Sequence, residues 1–142
     1  MMFILLILVL AYLAYYFIVG ELSIGEEPLL APVDLLACGQ LIDTPDTVYT
    51  LVNDVSSSGT CFTIGADNVT LDGGGKLVNY SQTVGGYAIN NTGYDNVTIK
   101  NLVIEKGSAS IIASYAINFR SADNGAIINN TIIQTKRFVR ES

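Results

Sequence analysis

YDNVTIKN, residues 94–101, has an echo on each side: ADNVTLDG at 66–73 and ADNGAIIN at 122–129, each 28 positions away. A repeat of that length is the mark of one supersecondary unit that cannot bury its own apolar face and stacks on a copy of itself. Aligning the copies puts Leu71, Ile99 and Ile127 in one column and Gly73, Asn101 and Asn129 in another. With one residue inserted in the GGG of the first copy, Leu77, Ile104 and Ile132 form a third. YAIN at 87–90 recurs at 115–118, again 28 apart, and CFTI takes the corresponding place in the first copy.

Each copy thus offers three short alternating segments broken by Gly, Asn or Asp, none long enough for a helix. The breaks need left-handed backbone, which Gly and Asn adopt at low cost, and Gly73, Asn101 and Asn129 are expected to supply it. Strands that return to the same place one copy later run parallel, about 4.8 Å apart, and the crossover rule makes the winding right-handed. The expected fold is therefore all-β, a right-handed parallel β-helix of about three to four coils, preceded by an N-terminal hydrophobic helix. Its inner columns are aliphatic; Asn130, beneath Leu102, is the one polar residue expected inside, where stacked amides bond each other. An antiparallel sandwich is the alternative, but it leaves the identical spacing unexplained.

Outside the repeat the chain divides in two. Residues 1–20, MMFILLILVLAYLAYYFIVG, are free of charge and match the roughly 20 residues of a membrane-crossing helix. They read as a transmembrane anchor or a signal peptide; a buried globular helix is the remaining reading. Residues 21–37 form an acidic, leucine-containing spacer and cap, and residues 38–142 the repeat domain. No base occurs between 21 and 75, so nothing holds the downstream chain in the cytoplasm. An extracellular or cell-surface location is expected, with the membrane as a partner through the N-terminus.

Export suits the two cysteines. In an oxidising compartment Cys38 and Cys61 read as a disulfide; two buried thiols are the alternative. Histidine is absent, which removes the usual neutral-pH base and zinc ligand. The net charge of −6 and pI near 4.3 argue against nucleic acid as a partner.

The runs DTVYTLVNDVSSSGTCFTIGADNVTLDGGGKLV (46–78) and GYAINNTGYDNVTIKNLVIEKG (86–107) resemble the opening coils of secreted or surface right-handed β-helix repeat proteins of archaea and bacteria, of the pectate-lyase-like fold. The resemblance covers residues 38 to about 133. It implies a fold more than an activity, because that family includes lyases, hydrolases and noncatalytic repeats. Its carbohydrate-active members work with aspartate pairs, or with calcium-holding acids and a Lys or Arg base.

Against that pattern the chain offers little. Asp67, Asp95 and Asp123 form a 28-residue column whose carboxylates would lie about one strand spacing apart. Such a ladder repels itself, and Ca²⁺ would relieve it; alternatively each Asp folds onto its local backbone as an Asx turn. Asp72 is the other acid nearby, and Lys100 and Arg120 are the bases within the coils. No other cofactor is expected. A catalytic set is thus not evident, and Asp67, Asp95, Asp123 and Arg120 stand as weak candidates.

Binding is the other option. Tyr94, whose column partners are Ala66 and Ala122, is expected to stand clear as a sugar-stacking ring, while Tyr87 and Tyr115 are expected to pack inward or cap the core. Five N-x-Ser/Thr sequons occur, at Asn68, Asn79, Asn90, Asn96 and Asn129. Asn79 and Asn90, read as lying in less regular arcs, are the preferred glycosylation sites. The expected function is a noncatalytic cell-surface or carbohydrate-contacting module with an extracellular polysaccharide as partner. The alternatives are a polysaccharide lyase or glycoside hydrolase, and a structural spacer or self-assembling unit joined through an open C-terminal coil.

Overall fold

The computed structural model describes residues 31–109 and 114–134; the N-terminal hydrophobic segment lies outside them. Among the described residues the regular elements are all β-strands, and no helix is long and apolar enough to cross a membrane. The first sheet runs in the order β1 (Val33–Leu35), β2 (Val48–Leu51), β5 (Thr70–Asp72), β8 (Thr98–Lys100) and β11 (Ala126–Ile128). The second contains β3 (Val55–Ser56), β6 (Leu77–Tyr80), β9 (Val103–Lys106) and β12 (Thr131–Ile133), and the third β4 (Phe62–Thr63), β7 (Tyr87–Thr92) and β10 (Tyr115–Arg120). Every pairing is parallel. From β2 onward the chain visits the three sheets in rotation and adds a strand to each per circuit. β1 lies within the segment read as spacer and cap, so sheet pairing begins before residue 38.

The 28-residue interval is a physical register. Leu71 faces Ile99 and Ile99 faces Ile127, with Tyr49 above Leu71. In the second sheet, however, the column is Val78, Ile104 and Ile132, while Leu77 faces Val103. The first copy carries two extra residues rather than one: seven positions separate Leu71 from Val78, against five from Ile99 to Ile104. They are taken up by a turn in which Lys76 N–H donates to the Gly73 carbonyl, with Gly74 and Gly75 at φ 55° and 77°. Likewise CFTI sits one residue out of step with YAIN, because Phe62 faces Ile89.

Asn101 and Asn129 are left-handed, at φ 57° and 52°, as expected of their column. Gly73 is not, and its missing side chain has another reason. A Cβ there would lie 2.4 Å from Leu102 Cδ2 and 2.6 Å from the Asn101 carbonyl oxygen, so Leu102 fills the space a side chain would take. A second left-handed column, Asn68, Asn96 and Asn124, recurs at the same interval.

The core is a stack of aliphatic and aromatic side chains from all three sheets, including Leu71, Ile99, Val78, Ile104, Phe62 and Ile89. Toward the N-terminus it is closed by Leu35 and Ile42, and Cys38 and Cys61 are disulfide-bonded there. Asn130 does turn inward, but it bonds backbone: its Oδ1 accepts from Leu102 N–H and its Nδ2 donates to the Ile99 carbonyl, both at 2.9 Å. It is not the sole inward polar residue, since Thr47, Ser81 and Asn91 are buried. The Asn91 amide is satisfied by closing a turn, donating to the Tyr94 carbonyl and accepting its N–H. The stacking of amides occurs on the outside instead: Asn118 donates to Asn90, Asn129 to Asn101 and Asn96 to Asn68.

Candidate functional site

The aspartate column forms, but Asp67 and Asp95 each have one oxygen engaged. Asp95 N–H donates to Asp67 Oδ1 at 2.8 Å and Asp123 N–H to Asp95 Oδ1 at 2.7 Å. Asp67 and Asp95 therefore each secure the backbone of the next circuit, rather than their own backbone as an Asx turn would. This relieves the ladder with amide dipoles. Among the described residues no group of three or more His, Cys, Asp or Glu is placed to hold a metal ion.

The other acid and base neutralise each other. Asp72 and Lys100 face across paired strands, and Lys100 Nζ lies 3.2 Å from Asp72 Oδ2. Asp72 Oδ1 accepts from Asn101 Nδ2 and from Gly74 N–H, both at 3.0 Å. The Asn101 hydrogen bond chiefly, helped by Gly74 and Lys100 and opposed by partial burial, holds this carboxyl below its ordinary value of 3.8. An acid held ionised in this way is poorly suited to donate a proton at neutral pH, and its Lys100 partner is occupied. Arg120 is exposed at the end of β10 and forms no ion pair among the described residues.

The tyrosines change places relative to expectation. Tyr94 is half-buried and packs against the core, because the small Ala66 and Ala122 leave room beside it. Tyr87 and Tyr115 do not pack inward. Their rings stack on each other with centroids 6.0 Å apart and planes 13° apart, and Tyr115 is 59 % exposed. Farther along the same two strands Asn118 Nδ2 donates to Asn90 Oδ1 at 2.8 Å, and Arg120 faces Thr92. Asn79 and Asn90 lie in strands rather than irregular arcs; their amide oxygens accept from Gln82 and Asn118.

At the corner between the first and second sheets, the two-residue-longer Gly73–Lys76 turn overhangs the shorter turns of the next circuits. Beneath it is an open groove of about 390 Å³, bordered by Gly74, Gly75, Val103, Thr131 and the stacked amides of Asn101 and Asn129.

No protein-family model, curated protein or solved structure matches this chain. Its chemistry must be argued from these surfaces alone. Stacked rings and rows of amides can hold polyhydroxylated ligands through CH–π contact and hydrogen bonds. The tyrosine pair was legible as the repeated YAIN, had like-on-like stacking been applied to its first residue. The groove had no signal beyond the unequal turn lengths.

Proposed function

We propose that the chain is a right-handed parallel β-helix of about three to four coils, akin to the surface proteins of the pectate-lyase-like fold, and that it contacts carbohydrate without cleaving it. The rotation of the chain through three parallel sheets supports the helical reading. The observation that carries the binding role is the Tyr87–Tyr115 stack on strands that also present the Asn90–Asn118 amides. An exposed ring gives a sugar an apolar platform, and amides offer donor and acceptor to its hydroxyls. The charge-free segment 1–20 and the Cys38–Cys61 disulfide support an exported chain tethered at the cell surface.

The test uses the full chain in a phosphocholine detergent, which adds no sugar, and titrates soluble oligosaccharides by calorimetry. Binding that falls about tenfold or more in Tyr115→Ala, with no new reducing or unsaturated ends, is the expected result. Release of such ends that disappears in Asp95→Ala would instead establish a lyase or hydrolase.

A second reading, self-assembly, is favoured by one observation: Ile127, Ile128, Ile132 and Ile133 are exposed on the last described strands. These strands lack Lys and Pro, the residues that commonly guard a sheet edge. Sedimentation that shifts from oligomer to monomer on Ile132→Lys supports this reading; a wild-type monomer at high concentration rejects it.

A further inference from the structure

We infer that the groove under the Gly73–Lys76 turn is a second ligand site, selective for a neutral saccharide over an acidic one. The inference rests on the carbohydrate reading above and assigns its ligand class at a place remote in the fold from the tyrosine pair. Its volume of about 390 Å³ falls in the roughly 300–1,000 Å³ range of small-molecule sites. The shape follows from the turn lengths: the glycine turn projects, and the Asn101–Leu102 turn below it does not.

The lining decides the ligand's charge. Successive backbone N–H groups in a turn can form a nest for an anion. Here both donors are taken, Gly74 N–H by Asp72 Oδ1 and Gly75 N–H by the Asn101 carbonyl. Lys100 is matched by Asp72 at 3.2 Å, and neither it nor Lys76 is among the lining residues. No lining side chain is ionisable. What remains for a ligand is neutral: Asn101 uses Nδ2 on Asp72 and Oδ1 on Asn129, leaving Asn129 Oδ1 as the free acceptor at the end of a polarised amide chain. The Thr131 hydroxyl stands beside it and can both donate and accept, and Val103 supplies an apolar wall. A hydroxyl-bearing ring with an apolar face satisfies all three; a carboxylate would meet the Asp72 charge behind the amides with no lining cation to offset it.

The test observes the side-chain amide resonances of Asn101 and Asn129 in the full chain, again in phosphocholine micelles. Maltohexaose, cellohexaose, mannohexaose and hexagalacturonate are titrated in turn. At least one neutral hexasaccharide should shift these resonances, and the exposed Asn129→Gly/Thr131→Val double variant, which keeps a residue tolerant of the left-handed turn and is read at Asn101, should weaken that interaction about tenfold or more. Tyr115→Ala should leave the shifts in place. Saccharide binding that is lost in Tyr115→Ala but unchanged in the double variant overturns the groove and spares the tyrosine platform. Binding of hexagalacturonate at Asn129 as tight as that of the neutral chains overturns the selectivity, and no binding of any hexasaccharide overturns both sites.

Discussion

Leu71, Ile99 and Ile127 occupy one column, yet the first two are fully buried and the third is 57 % exposed. In the neighbouring sheet Val78 and Ile104 are sealed while Ile132 is 58 % exposed. The inner circuits and the last described one share residue types, register and backbone hydrogen bonds. Among the described residues, what separates them is a neighbour on both sides rather than one. The opposite end differs again, because Leu35 and Ile42, near the disulfide, are themselves buried. In a stack, burial belongs to the position along the axis, and the same isoleucine is structural in one circuit and a potential contact in the next.

The sharpest way to break this contrast is a matched pair of truncations. Ile99→Ala should destabilise the protein by about 3 kcal/mol, as buried Ile-to-Ala changes do, whereas Ile127→Ala should cost under about 1 kcal/mol. Denaturant unfolding of both variants measures the difference, and equal losses would mean that Ile127 is covered in solution. Reduction of the Cys38–Cys61 bridge, whose partners are 23 positions apart, comes next. It should cost about 3 kcal/mol if the closed end contributes as loop-closure entropy predicts, and should leave the exposed circuit's behaviour unchanged. Unfolding with and without a reductant provides the measurement.

A smaller effect concerns the polar columns. Because the folded-state pKa of Asp72 is lowered, its contribution to stability is present above the unfolded value near 3.8 and is lost as the pH falls below that value. Asp72→Asn should flatten the acid limb of the stability profile there, with a loss at neutral pH of under about 1 kcal/mol for a partly exposed pair. An unchanged acid limb would show that the Asn101 and Lys100 contacts do not persist in solution.

The period of 28, the parallel return of strands and the aliphatic columns were legible in the sequence, because stacking places chemically similar residues at equal intervals. Cys38 and Cys61 were likewise legible as a pair, and Asn101 and Asn129 as left-handed turn residues. Other readings turned on local geometry that a period does not encode. Gly73 recurs with two asparagines yet serves to admit Leu102, and the true insertion in the glycine turn emerged from strand register. Tyr94 carried the appearance of an exposed ring because its partners are alanines, but small neighbours equally make room for a ring to settle. The aspartate column was visible; that Asp67 and Asp95 are spent on the next circuit's backbone was not, since a hydrogen bond between circuits depends on their axial separation. Sequence determined which residues lie over one another. Tertiary structure decided which way they point and what they touch, because those depend on turn lengths, on side-chain volume, and on whether another circuit lies above.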